Sequence, residues 1–202
     1  NWNSNSTWSL TSGGVSVGTG VFPGIGDTVI IENGFTVTAT SDASAKSISI
    51  TGNSILTIND AKTLTVNGNV DVASGSKFNA GTKTSDSAII KVFGNFSNLG
   101  TTDFNKSTVV IAGNLNTANT ILQNNGNILV GGNVSGVIGG SGSGTVYPVN
   151  PNATVTSTGS ADEKPSGTQP TDPTLVALMN EVIYGGACSS SIALNNVVAT
   201  NS

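Results

Sequence analysis

Residues 108–134 read TVVIAGNLNTANTILQNNGNILVGGNV: a short β-branched and aliphatic run is followed by Gly113-Asn114, and a second such run by Gly132-Asn133, 19 residues later. Upstream the same punctuation appears at Gly52-Asn53, Gly68-Asn69 and Gly94-Asn95, so the successive spacings are 16, 26, 19 and 19 residues. Within the runs apolar and polar residues alternate, as in Leu64-Thr65-Val66 and Ile48-Ser49-Ile50. That is a strand period, with no 3.6-residue repeat beside it. Self-similarity at about twenty residues marks a solenoid, because one unit cannot bury its apolar face until a neighbour stacks on it. It is too short for a propeller blade of about 40–45 residues.

The chain is therefore expected to be an all-β, right-handed parallel β-solenoid with a small C-terminal helix-plus-strand appendage, that hand being the rule for parallel crossovers. Val66, Ile90, Val92, Val110, Ile111, Leu129 and Val130 are the expected lining of its interior. Gly before Asn suits a corner that needs a positive φ. Stacked Asn side chains can bond amide to amide along the axis, which predicts a ladder of Asn69, Asn95, Asn114 and Asn133. The alternative is a sandwich whose Gly-Asn pairs mark separate hairpins, but Asn-Gly is the stronger hairpin signal.

Gly, Ser, Thr and Asn make up 103 of the 202 residues, 9% are charged, and the seven basic residues are all Lys. Without His the usual acid–base group and metal ligand is missing, and without Arg so is the bidentate clamp for phosphate. A net charge of −4 argues against a nucleic-acid partner. No apolar stretch approaches the ~20 residues of a membrane helix, so membrane insertion is not expected. The start at Asn1 rather than Met suggests an exported chain whose signal has been removed. Cys188 is the lone cysteine and is expected to be a bystander.

Both ends differ from the repeat. Trp2 and Trp8 precede the first clear strand and are expected to cap the open end of the coil. The solenoid and its cap are assigned to residues 1–144, closing on GGSGSG. Residues 145–173, with four prolines after position 150, read as an extended linker. Within 174–202, Asp172-Pro173 and the apolar spacing of Leu175, Leu178, Met179, Val182 and Ile183 predict a helix ending before Gly185. Ser191 to Thr200 reads as further strand, carrying Ile192, Leu194 and Val197. These eight apolar residues are the candidate subunit contacts, folded over the last coil or docked on another copy.

The block Phe22-Pro23-Gly24-Ile25-Gly26-Asp27-Thr28-Val29-Ile30-Ile31-Glu32-Asn33-Gly34-Phe35-Thr36-Val37-Thr38, after Trp2 and Trp8 and before LTVNGN-type coils, resembles the opening of β-helical domains in secreted or cell-surface bacterial proteins of the Bacteroidota type. The likeness covers about residues 1–140. It implies an extracellular structural or adhesive role and no shared catalytic residue.

The leading functional expectation is a surface or filament subunit that self-assembles head-to-tail through its solenoid ends and C-terminal tail, with itself as partner. An adhesin or glycan-binding module is the alternative, although aromatic content is 5% and the remaining exposed candidates, Tyr147 and Tyr184, lie outside the repeat. An enzyme is not expected: Asp60, Asp71, Asp86 and Asp103 read as turn aspartates, and Lys91 and Lys106 as solvated charges. No metal site and no cofactor are expected. Ice binding would need the alternating Thr36, Thr38 and Thr40 to recur on later coils, which carry Asn, Ser and Lys instead.

Overall fold

The computed structural model of the chain describes residues 1–81, 87–119, 121–123, 125–139 and 144–185. Asp86, Gly140–Ser143 of the GGSGSG stretch, Cys188, and the strand expected to carry Ile192, Leu194 and Val197 lie outside the described residues. What is described is a parallel β-solenoid of about six turns with one helix. The first coil is β1 (Thr28–Ile31), β2 (Thr36–Ala39) and β3 (Ala43–Ala45). The second is β4 (Ser47–Ile50), β5 (Ile55–Ile58) and β6 (Thr63–Val66), and the third is β7 (Val70–Val72), β8 (Lys77–Ala80) and β9 (Ile89–Val92). β10 (Phe96–Asn98), β11 (Thr101–Asn105) and β12 (Thr108–Ile111) make the fourth; β13 (Leu115–Thr117), β14 (Ile121–Gln123) and β15 (Asn127–Val130) make the fifth. In the sixth, β16 (Val134–Gly139) runs across two faces before β17 (Thr145–Pro148).

Each strand pairs in parallel with its equivalent one coil away, which yields three faces. The first face stacks β1, β4, β7, β10, β13 and β16; the second stacks β2, β5, β8, β11, β14 and the end of β16; the third stacks β3, β6, β9, β12, β15 and β17. Alternation along every strand sends one set of side chains inward. The resulting columns are apolar: Val29, Ile48 and Val70 on the first face, Val37, Leu56 and Phe78 on the second, Leu64, Ile90 and Val109 on the third, all buried. Phe78, Phe96 and Phe104 meet edge to face at 5.3–6.0 Å between centroids and fill the middle of the core. Asn98 is buried too, and its amide donates to Thr117 Oγ1 one coil on (3.1 Å) while its carbonyl accepts the Gly100 N–H.

Residues 145–163 are not a linker. β17 lies on β15 with Thr145 to Pro148 in register with Asn127 to Val130, and a partial seventh coil follows, with β18 (Val155–Thr158) on β16 and β19 (Asp162–Glu163) on β17. β17 buries alternate residues, Val146 and Pro148 inward, whereas the alternation in β18 is only half-buried against exposed, as in a terminal coil that buries little.

The predicted Asn ladder forms, with a different bonding pattern. Asn69 Oδ1 accepts the backbone N–H of Asn95 (2.9 Å), Asn95 Oδ1 that of Asn114 (2.8 Å), Asn114 Oδ1 that of Asn133 (2.8 Å), and Asn133 Oδ1 that of Thr154 (2.8 Å). The expected amide-to-amide contact is represented by Asn95 Nδ2 to Asn69 Oδ1, at 3.5 Å. The partner glycines do not take positive φ; that geometry belongs to Gly52 and Asn53, which form a separate turn between β4 and β5. What Gly94, Gly113 and Gly132 supply is room. A Cβ on any of them would stand 2.5 Å from the Oδ1 of the preceding ladder Asn and under 3 Å from backbone.

Gly113→Ala is thus expected to lower the urea midpoint, by overpacking of about 1–3 kcal/mol, whereas Gly26→Ala, whose Cβ would meet nothing within 4 Å, leaves it unchanged. Equal midpoints for the two variants would contradict the close corner.

Candidate functional site

The two ends of the solenoid are chemically unlike. At the N-terminal end Trp2 is buried in the core, its backbone N–H donates to Thr38 O on β2 (2.8 Å) and its indole N–H to Pro23 O (3.4 Å). Trp8 donates its indole N–H to Trp2 O (2.6 Å), and the two rings meet at 5.3 Å and 71°. Asn1 Nδ2 to Thr40 Oγ1 (3.0 Å) and Ser41 Oγ to Asn3 Oδ1 (2.7 Å) tie the same segment down. Both tryptophans are therefore cap residues, as their position in the sequence predicts, but the cap covers the second face. On the first face β1 is the terminal strand, paired with β4 and with no other strand among the described residues.

Beside β1 runs an open cleft of about 680 Å³, walled by residues 6–14, 16–17 and 21–23 on one side and by 27–32 and 35–37 on the other. Leu10 (92% exposed), Phe35 (64%), Ile30 (58%), Val21 and Phe22 face it. Seven of the nine large hydrophobics exposed among the described residues lie between positions 10 and 35. Scattered single apolar residues on a surface need no explanation, whereas a concentration at one end does. Sequence reading passed over these residues. Ile30 was legible, since Val29 and Ile31 take the inward places and leave it an apolar side chain on an outward one; Leu10 and Phe22 carried no such signal.

At the other end the last coil presents Thr156 and Thr158, exposed on β18, and the charged run Asp162, Glu163 and Lys164. Lys164 Nζ lies 2.6 Å from Asp162 Oδ2, a hydrogen bond that raises the ammonium group above its ordinary range. β18 pairs with β16 and with no strand beyond it among the described residues.

The predicted helix is α1 (Pro173–Val182), capped by Asp172 Oδ1 on the N–H groups of Thr174 and Leu175 at 2.8 and 3.2 Å. It lies on the outside of the third face. Leu175, Leu178, Met179 and Val182 bury against Val110, Leu129 and Val149, with Ile89, Phe93, Tyr147 and Ile183 at the margin. Val110 and Leu129 thus point outward, not into the interior as expected. Three consecutive apolar residues in each strand, Val109 to Ile111 and Ile128 to Val130, offer two registers, and Val109 and Ile128 take the inward places. The helix half of the candidate subunit contacts is consequently spent within the chain, and Tyr147 is covered rather than offered to a ligand. Lys91 is not a free surface charge: Nζ contacts both carboxylate oxygens of Glu181 at 2.7 Å.

The candidate acidic residues stand apart. Asp71 is exposed in mid-strand on the first face, not in a turn. Asp103 is on the second face and accepts the Asn105 N–H, and Asp60 follows β5. Threonine columns stop at once, since Thr36 is in register with Ile55, and Thr38 and Thr57 lead to Asn79. Compared with protein-family models, curated proteins and solved structures, the chain has no significant match.

Truncating the helix anchor with Met179→Ala should cost about 2–4 kcal/mol and increase dye binding to the uncovered Val110–Leu129 flank. Glu181→Gln should cost under about 1 kcal/mol, because its partner's ion pair is half-solvated. Thermal melts that place both variants alongside the wild type would show that the helix is not docked.

Proposed function

We propose that this chain is an extracellular structural subunit that polymerises head-to-tail along its solenoid axis. The observation that carries the reading is that, among the described residues, one face ends at each extremity in a strand with one open edge, β1 and β18, with exposed apolar residues gathered beside β1. An open strand edge recruits further strands unless charge, proline or a cap blocks it. Here the cap protects β2 and leaves β1 bare. A contact between opposite ends of one axis cannot close on itself by simple stacking, so its product is a filament. Low charge limits repulsion between copies, and the resemblance of the Phe22–Thr38 block to bacterial surface β-helices supports an exported location. No catalytic role is assigned to Asp60, Asp71 or Asp103.

A second reading, a glycan-binding adhesin, draws on the outward column of the first face. Ser49, Asp71, Ser97, Asn116, Ser135 and Thr156 follow one another on successive rungs, spaced about 4.8 Å. Hydroxyl, carboxylate and amide groups at that interval would suit a polysaccharide chain, but no aromatic ring lies in the column.

Electron microscopy and light scattering of purified protein test the polymer: wild type should form regular fibres, and Ile30→Lys combined with Phe35→Lys should stay monomeric while keeping its thermal midpoint within a few degrees. Fibres from the double variant, or a wild type that remains monomeric when concentrated and binds a glycan array, would turn the assignment to the adhesin.

A further inference from the structure

Three Asn-Gly pairs occur in the chain, Asn33-Gly34, Asn67-Gly68 and Asn125-Gly126. An asparagine followed by glycine carries a reaction of its own: the next backbone nitrogen can attack the side-chain carbonyl carbon, and glycine, having no Cβ, shields that nitrogen least. Attack requires the peptide between the two residues to turn until nitrogen and carbon meet. The fold therefore sets the rate through how firmly it holds that peptide.

Two of the three pairs are held between coils. The Asn67 N–H donates to Ala45 O (3.0 Å), while Gly68 O accepts the Gly94 N–H from the next coil (3.1 Å). A Cβ on Gly68 would stand 2.9 Å from Lys46 O, so this peptide is also packed against backbone. Gly126 is buried, and its carbonyl accepts the Thr145 N–H of the following coil (3.0 Å). Turning the peptide at either pair works against bonds that join one coil to another.

Asn33-Gly34 is held less. It is the centre of the turn from β1 to β2, closed by the Phe35 N–H on Glu32 O at 3.2 Å, with φ of 58° at Asn33 and 77° at Gly34. Both residues are exposed, neither makes a backbone hydrogen bond to another coil, and a Cβ on Gly34 would meet nothing within 4 Å. The Asn33 side chain has no hydrogen-bond partner among the described residues. Gly52 of the second coil approaches the Glu32–Asn33 peptide, not the one that must turn.

We infer that Asn33-Gly34 is a self-modification site, at which the folded protein converts asparagine to aspartate and isoaspartate with water as the only co-reactant. The Gly34 nitrogen bonds to Asn33 Cγ, the Cγ–Nδ2 bond breaks, and ammonia leaves with the proton that the Gly34 nitrogen gives up. Water then opens the five-membered imide. Cleavage of the new N–Cγ bond yields aspartate, and cleavage of the original peptide bond yields isoaspartate. Either product places a carboxylate next to Glu32, at the end of the solenoid that carries the apolar cleft, and so changes the charge of that end.

The test ages folded, full-length protein in mildly alkaline buffer, which favours the deprotonated nitrogen, and follows the three sites by peptide mass spectrometry. Asn33 should convert at least about tenfold faster than Asn67 and Asn125, whose inter-coil hydrogen bonds add to the barrier. The same chain unfolded in urea should convert at similar rates at all three. Asn33→Gly, which suits the positive φ of the turn, should stay a single species on ion exchange under conditions that split the wild type. Equal rates at the three sites in folded protein, or an Asn33 that persists while the unfolded chain converts, overturns the inference.

Discussion

The corner formed by Gly68-Asn69, Gly94-Asn95, Gly113-Asn114 and Gly132-Asn133 sets the terms for the rest of the molecule. Rungs of a parallel sheet must stand about 4.8 Å apart, and at a corner the backbone turns away from the ladder that would otherwise pair its amides. Here each Asn side chain reaches across that gap to the N–H of the next coil, and at Gly94, Gly113 and Gly132 its oxygen takes the space a Cβ would fill, while Ala153 stands in the same place at the last corner. Gly to Gly backbone bonds of 2.9–3.1 Å run beside it. The two features come together at the middle corners, where the dipeptide recurs, and give way to Lys46-Ser47 and Ala153-Thr154 toward the two ends.

With the corners fixed, the interior is a set of columns, and its chemistry follows from parity along each strand. Inward places hold Val, Ile, Leu and Phe; outward places hold Ser, Thr, Asn and a few charges. Departures from parity are informative. Val110, Leu129 and Tyr147 form an apolar column on the outside of the third face, and it is there that α1 lies, clasped by Lys91 and Glu181. The pair contributes modestly at such exposure; the burial of Leu175, Leu178, Met179 and Val182 does most to hold the helix.

A translationally repeating fold has no internal reason to stop, so its ends have to be built separately. The C-terminal end is finished with hydroxyls and charges. The N-terminal end is finished over one face only: Trp2 completes β2, and β1 is left beside a cleft lined by side chains that water does not favour. This asymmetry within one cap leaves the two ends of the first face chemically unlike.

The winding of the chain, the Asn ladder, the tryptophan cap and the boundaries of the helix were all legible in the residues, because each depends on short-range pattern: strand parity, a recurring dipeptide, a capping Asp before Pro. The function of the glycines was misread from sequence alone, since a need for positive φ and a need for empty space both select Gly, and only neighbouring coils distinguish them. So too with Val110 and Leu129, whose runs permit either parity until the rest of the coil chooses. β18 and β19 were hidden by their polar composition, the mark of rungs that bury little, whereas β17 carries a buried strand alternation and was overshadowed by the prolines that follow it. What the tertiary structure alone decided was which faces are covered, by the helix and by Trp2, and which edge is not; coverage is a relation between segments distant in the chain, and no local pattern encodes it.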